Sequence, residues 1–212
     1  MELDENGGLV VVAPRHWSKA HINATLSENT SRVERFLVRA RQRQLPPLLY
    51  SNGELHFYLG EAYPLTILPC LSRKTRIEFR GNEIRISISQ YDPQKIRVAL
   101  QSWYHKQALE IFQARLQTIV ARADWVGDKL VPLKLRRMKR TWGNCSSSGV
   151  IKLNTHLIKA PLLIIDSVIA HELCHLVEMN HSKAFYALLE KLNPHWRQNR
   201  AWLRSEGNAY LL

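Results

Sequence analysis

The chain has 212 residues, 45% of them hydrophobic, and a formal net charge of +12. That length suits one large domain or two small ones with a true apolar core. No apolar run approaches the roughly 20 residues that cross a bilayer, and the opening Met1-Glu2-Leu3-Asp4-Glu5-Asn6 is too acidic for a secretory signal. Three widely spaced cysteines, Cys70, Cys145 and Cys174, argue against a disulfide framework and suit a reducing compartment. A soluble cytoplasmic protein with no membrane partner is therefore expected. The charge would attract polyanions such as nucleotides or nucleic acid, although a solvated basic surface is the simpler reading.

In chain order, Leu9–Ala13 is a strand candidate closed by Pro14, and Ser18–Ala24 and Thr30–Gln44 have helical spacing. The second of these helices carries Arg32, Arg35, Arg39, Arg41 and Arg43, and Pro46-Pro47 ends it. Short alternating runs follow at Leu55–Leu59, Tyr63–Leu68, Thr75–Phe79 and Glu83–Ile88, separated by glycine turns. Asp92 as N-cap and Pro93 in the first turn open a long helix to about Ala123. A basic strand at Leu133–Arg140 precedes a hairpin, in which Trp142–Cys145 turns through Ser146–Gly149 into Val150–Leu153. Pro161 introduces an apolar helix from Leu162 to about Met179, then helices at Lys183–Leu192 and around Trp196 and Trp202. Strands early and helices late indicate an α+β fold. The expected division is a β-rich region over residues 1–90 and a catalytic region over 91–212.

His171-Glu172-Leu173-Cys174-His175 falls inside the helix expected from Leu162. Four residues advance a helix by about 400°, so the two histidines share a face, roughly 6 Å apart along the axis. Two imidazoles on adjacent turns can meet one Zn²⁺. Glu172, offset by one residue, can reach a water on the metal without being a ligand, which is the position of a general base. In a straight helix His181 would point about 240° away from His175. It can join the site only if the helix breaks, and Asn180 as a left-handed cap with Ser182 as the next N-cap would allow that. Glu178 and Glu190 are the other candidates for a third ligand, Glu178 also as a partner that orients an imidazole. Cys174 lies off the histidine face and reads as a small buried hydrophobe.

The stretch Arg137–Ser147 containing Trp142-Gly143-Asn144-Cys145, then Gly149, Ile151, Leu153-Asn154, His171–Leu176, Asn180-His181-Ser182 and Phe185, resembles the YgjP-like metallopeptidase family, which is similar to the SprT-like and WLM-type zincins. The likeness is extensive from Trp103 to Trp202 and weaker through Gly8–Pro14 and the strands near 55–88. It implies a zincin-like metalloprotease fold: a twisted sheet, an HExxH active-site helix and a long helix packed behind. It also implies His171, His175 and His181 as ligands of Zn²⁺ and Glu172 as catalytic base. Asn144 stands where that family usually has Ser, and Tyr186 where it usually has Trp.

A zinc-dependent hydrolase follows, most simply a metallopeptidase with a peptide or protein substrate. The strand Val150–Asn154 could pair with an extended peptide, and His156, Tyr104 and Tyr186 are candidates for an added oxyanion donor. Two alternatives stay open. One is a nucleotide (UTP) pyrophosphatase using the same metal site, an activity associated with proteins resembling YgjP, although no Gly-rich phosphate loop is present. The other is a nucleic-acid-associated SprT-like protease, for which Arg136, Arg137, Lys139 and Arg140 would be the basic patch.

Overall fold

The computed structural model describes residues 2–3, 8–31, 33, 34, 37, 48–127 and 130–210. Two compact units divide the chain, Met1–Pro47 and Leu48–Leu212. In the first, β1 (Glu2–Leu3) pairs antiparallel with β2 (Leu9–Val10). The strand expected to reach Ala13 stops sooner, because the Trp17 N–H donates to the Pro14 carbonyl at 3.0 Å and closes a turn there. Helix α1 (Lys19–Glu28) begins at Ser18, whose hydroxyl accepts from the His21 N–H at 3.1 Å. Of the helix expected over Thr30–Gln44, residues 30, 31, 33, 34 and 37 are helical and the rest lie outside the described residues.

The second unit is α+β, as expected. Strands β3 (Leu55–Tyr58), β4 (Glu61–Pro69), β5 (Arg76–Arg80) and β6 (Glu83–Ile88) form a sheet in the order β3-β4-β6-β5. β4 and β6 are parallel, and the other pairs are antiparallel. The β5–β6 hairpin turns on Gly81 and Asn82, both with φ near 60°, the two-residue geometry that suits strand twist. Alternation in β6 buries Ile84, Ile86 and Ile88 under α2 (Pro93–Val120). Asp92 caps α2 by accepting from the Gln94 and Lys95 N–H groups.

A second sheet, in the order β7-β9-β8, follows α2. It contains β7 (Leu133–Arg136), β8 (Gly143–Cys145) and β9 (Ile151–Asn154), with β9 parallel to β7 and antiparallel to β8. The strand expected over Leu133–Arg140 ends at Arg136, since the register runs out with Asn154 on β9. A 3-10 turn at Thr155–Lys159, not anticipated from periodicity, leads to α3 (Leu162–Cys174). The Leu59 and Gly60 N–H groups donate to the Ile158 and Lys159 carbonyls at 3.0 and 2.8 Å. Gly60 has φ 96°, and a Cβ there would lie 2.8 Å from Pro161 Cγ, so the β3–β4 turn seats the start of α3 closely. Arg115 of α2 grips Asp166 of α3 with two parallel hydrogen bonds, Nε to Oδ1 at 2.7 Å. Helices α4 (Lys183–Leu192) and α5 (Trp196–Ser205) close the fold. Buried Asn193 donates to Ser167 at 2.7 Å and accepts from Asn199 at 3.2 Å, joining α3 to α5. Among the described residues no helix is long and apolar enough to cross a membrane.

Candidate metal centre

Helix α3 ends at Cys174, five residues before the expected limit near Met179. The Leu176 N–H donates to the Leu173 carbonyl, and the Val177 and Glu178 N–H groups to the Cys174 carbonyl, at 3.0–3.2 Å. These bonds satisfy the terminal carbonyls within a tight turn. His175, at the cap, places Nδ1 3.0 Å from the Glu178 carbonyl and holds the turn shut. Asn180 does not take the expected left-handed conformation. The reversal is made by His175 and its turn instead, and Ser182 then caps α4 by accepting from the Phe185 N–H at 3.2 Å.

The reversal brings His181 back over the helix end. One ring nitrogen from each of His171, His175 and His181 comes together, all within 4.8 Å of one another. His171 Nε2 and His181 Nε2 are 3.1 Å apart. Phe185 is fully buried beneath them, its ring centroid within 5.0 Å of all three imidazoles. Burial, then the neighbouring His175 and His181, then Arg200, pushes His171 down to about 4. Burial, His175 and Arg200 also lower His181. Neutral imidazole is the form that binds a metal ion. With His175 Nδ1 donating to a carbonyl, its Nε2 lone pair is left for a ligand bond. The donor set therefore fits a divalent cation of zinc's kind.

Glu172 sits beside this cluster with 5% of its surface exposed. Burial raises its carboxyl to about 7. Gly143 of β8 lies directly against it: a Cβ at that position would be 2.7 Å from Glu172 Oε1 and 2.8 Å from Cγ. The missing side chain is the space the carboxylate occupies. Burial, and after it the same carboxylate, raises the thiol pKa of Cys145, two residues on. The loop before β8 is pinned by buried Asn154, whose Nδ2 donates to the Met138 and Thr141 carbonyls at 2.7 and 3.0 Å. The Asn154 N–H also donates to the Trp142 carbonyl at 2.8 Å.

The chain matches the YgjP-like, metallopeptidase domain family over residues 1–206. It belongs to that family. Among solved structures it is similar to the metallopeptidase zymogen of Pyrococcus abyssi abylysin, at 20% identity and a TM-score of 0.40, over 45% of this chain and 95% of that one. No functionally curated protein matches it in sequence.

The other candidate residues of this YgjP-like domain fall elsewhere or act differently. Glu178 meets His175 through its main-chain carbonyl, not its carboxylate. Glu190 accepts from Trp196 Nε1 at 2.6 Å and Arg197 Nη1 at 3.0 Å, on the α4–α5 side. Cys174 is fully buried, and burial pushes its thiol up to about 12, as for a packing residue. Tyr104 donates to the Phe57 carbonyl at 2.8 Å, and His156 Nδ1 lies 3.3 Å from the Tyr210 carbonyl. Of the three oxyanion candidates only Tyr186 is seen against the histidines, 6.2 Å from the His181 ring and stacked on Trp196 at 4.8 Å. Exposed Asn144 replaces the usual Ser without a contact that explains the exchange. Sequence spacing missed Gly143 and Asn154 as supports of Glu172, because their roles depend on β8 lying beside α3.

Proposed function

We propose that this domain is a zinc-dependent peptidase in which His171, His175 and His181 hold the ion and Glu172 is the general base. One observation carries the reading: three imidazoles converge beside a buried carboxylate, in a chain of a metallopeptidase family. Zn²⁺ held there would supply Lewis-acid polarisation of the scissile carbonyl and acidify a water molecule. Glu172 takes a proton from the attacking water on its carboxylate oxygen and hands it to the leaving amine. A carboxyl raised to about 7 can both accept and release that proton near neutral pH. The Glu178 carbonyl fixes the tautomer of His175, and Phe185 keeps the three rings from turning inward.

The expected pairing of a peptide with Val150–Asn154 is ruled out, since β9 already has β7 on one side and β8 on the other. Among the described residues β8 pairs with β9 alone and runs past Glu172, so its edge is where an extended substrate would lie. All the assigned residues come from the region 91–212, to which catalysis is assigned. The three free cysteines fit work in a reducing compartment such as the cytoplasm.

The test is a side-by-side assay of peptide libraries and nucleoside triphosphates with wild type and Glu172→Gln, alongside metal analysis. Peptide turnover that needs zinc and disappears in Glu172→Gln, with zinc retained, is expected. Less than a tenth of an equivalent of metal after zinc addition would remove the ligand assignment. Turnover of triphosphates in place of peptides would overturn the peptidase reading.

A further inference from the structure

Helix α5 carries the exposed arginines Arg197, Arg200 and Arg204. Arg197 is paired: its Nη1 donates to Glu190 Oε2 at 3.0 Å, and its guanidinium lies 4.5 Å from the centroid of the Trp196 ring. Arg200 is placed differently. Among the described residues it has no carboxylate within ion-pair distance, and its Nη1 donates instead to the Tyr186 hydroxyl at 3.5 Å.

Tyr186 joins Arg200 to the metal centre. Its ring centroid lies 6.2 Å from that of His181, and 4.8 Å from that of Trp196 with the planes nearly parallel at 21°. Trp196 and Arg200 are four residues apart and share a face of α5. One stacks on the Tyr186 ring and the other meets its hydroxyl. Glu190 fixes the back of this wall by accepting from Trp196 Nε1 at 2.6 Å, so its carboxylate is engaged by Trp196 and Arg197. A stacked ring with its polar end bonded is held in place, and Arg200 stands at the end of an ordered wall that begins at His181. After burial and the neighbouring imidazoles, the Arg200 charge is the remaining cause that lowers His171 and His181, so the cation and these two rings are close in space. A cation beside a site built for another cation works against that site. The arrangement becomes favourable when a negative group lies between them.

We propose that Arg200 is a specificity-determining residue that receives a carboxylate of the substrate, so that peptides with a negative group close to the scissile bond are preferred. The assignment rests on the peptidase reading, and on a peptide the negative group is a carboxylate. An extended chain advances about 3.4 Å per residue, so the group seated on Arg200 belongs to a residue within about three positions of the bond. Two sources supply it: an aspartate or glutamate side chain, and the C-terminus of the peptide. Both are planar and accept paired N–H bonds from a guanidinium. Because Arg200 is exposed, the contact sets selectivity among substrates more than total affinity.

The experiment is cleavage of a matched set of short quenched peptides by the zinc-loaded full chain, at about 0.05 M salt so that screening is weak. Glu, Gln and Lys are exchanged at each of three positions on either side of the bond, and the C-terminus is either free acid or amide. Wild type is compared with Arg200→Gln, Arg200→Lys, Arg200→Glu and, as a control for bulk charge one turn along α5, Arg204→Gln. Calorimetric binding of the same peptides to zinc-loaded Glu172→Gln repeats the comparison without turnover, and zinc content is measured throughout. Wild type should favour the acid over its neutral counterpart by about fivefold or more, through KM. That preference should vanish in Arg200→Gln, persist in Arg200→Lys and turn towards lysine in Arg200→Glu, at unchanged zinc content. A structural role would not reverse with the charge. Preference for Glu at one position assigns the contact to a side chain, whereas preference for the free acid over the amide assigns it to the C-terminus. Cleavage without charge preference, a preference that survives Arg200→Gln, or an equal loss in Arg204→Gln would overturn the proposal and leave the peptidase reading standing. Failure of every peptide to bind and be cleaved would remove both. Arg200→Gln carries the test if Arg200→Glu fails to fold.

Discussion

Gly143→Ala is the sharpest probe of how Glu172 is held. Gly143 has no positive φ, so alanine fits its backbone and its pairing with Leu153. The new methyl would instead meet Glu172, at 2.7 Å from Oε1, 2.8 Å from Cγ and 3.0 Å from Cδ. Carbon contacts settle near 3.5–4.0 Å, so the carboxylate group has to move by roughly 0.7–1 Å. Because the far end of one side chain absorbs the clash, the stability cost should be about 1 kcal/mol, at the low end for overpacking. The catalytic cost should be larger, since a misplacement of about 1 Å costs on the order of 100-fold. Expected results are unchanged zinc content, a melting temperature within a few degrees of wild type, and a kcat on a peptide substrate reduced about 100-fold with KM little altered. Asn144→Ala, one residue away and exposed, should behave as wild type. Wild-type turnover in Gly143→Ala would show that β8 does not set the position of Glu172.

Glu172 also makes the metal-free protein pH-sensitive. Its folded pKa, about 7, lies above its ordinary value of 4.5, so the folded state binds more protons between these values. The stability due to this group is full below about 4.5 and declines as pH rises through 7, by about 3 kcal/mol. Burial of His171 works in the opposite sense over the same range, equally in both proteins, so urea unfolding of chelator-treated protein at pH 5 and pH 8 should show this loss as the difference between wild type and Glu172→Gln; parallel profiles would refute it. His181→Ala should keep its fold by circular dichroism and lose more than the roughly 100-fold in zinc affinity that outer partners alone supply. A competition titration with a chromophoric chelator reads this directly. Phe185→Leu removes the ring beneath the three histidines and should lower stability by about 1–2 kcal/mol, together with zinc affinity. Unchanged affinity would mean that the imidazoles need no such floor.

The elements that could be read in advance are those whose signal is local. β6 alternates strictly and spans Glu83–Ile88 as its sequence says. Helix α2 announces its start through Asp92 and Pro93, and α4 through Ser182. The elements that could not be read depend on partners distant in sequence. The strand from Leu133 ends when β9 ends, and the 3-10 turn at Thr155–Lys159 exists where the β3–β4 turn docks on it.

The candidate site divides in the same way. His171, Glu172 and His175 follow from helical phase alone. The condition that His181 needs a chain reversal also follows from phase, and the structure contains one, but it is built by a different residue. Asn180 was the natural suspect because asparagine tolerates the left-handed region. Instead His175 ends the helix, and its Nδ1 closes the turn on the Glu178 carbonyl. A single imidazole thus does two jobs: one nitrogen makes the turn that delivers His181, and the other faces the point where His171 and His181 converge. Replacing His175 should therefore disturb the placement of His181 as well as removing a donor. This predicts that His175→Ala loses more zinc affinity than His181→Ala, although each deletes one imidazole, and equal losses in the chelator titration would separate the turn from the site.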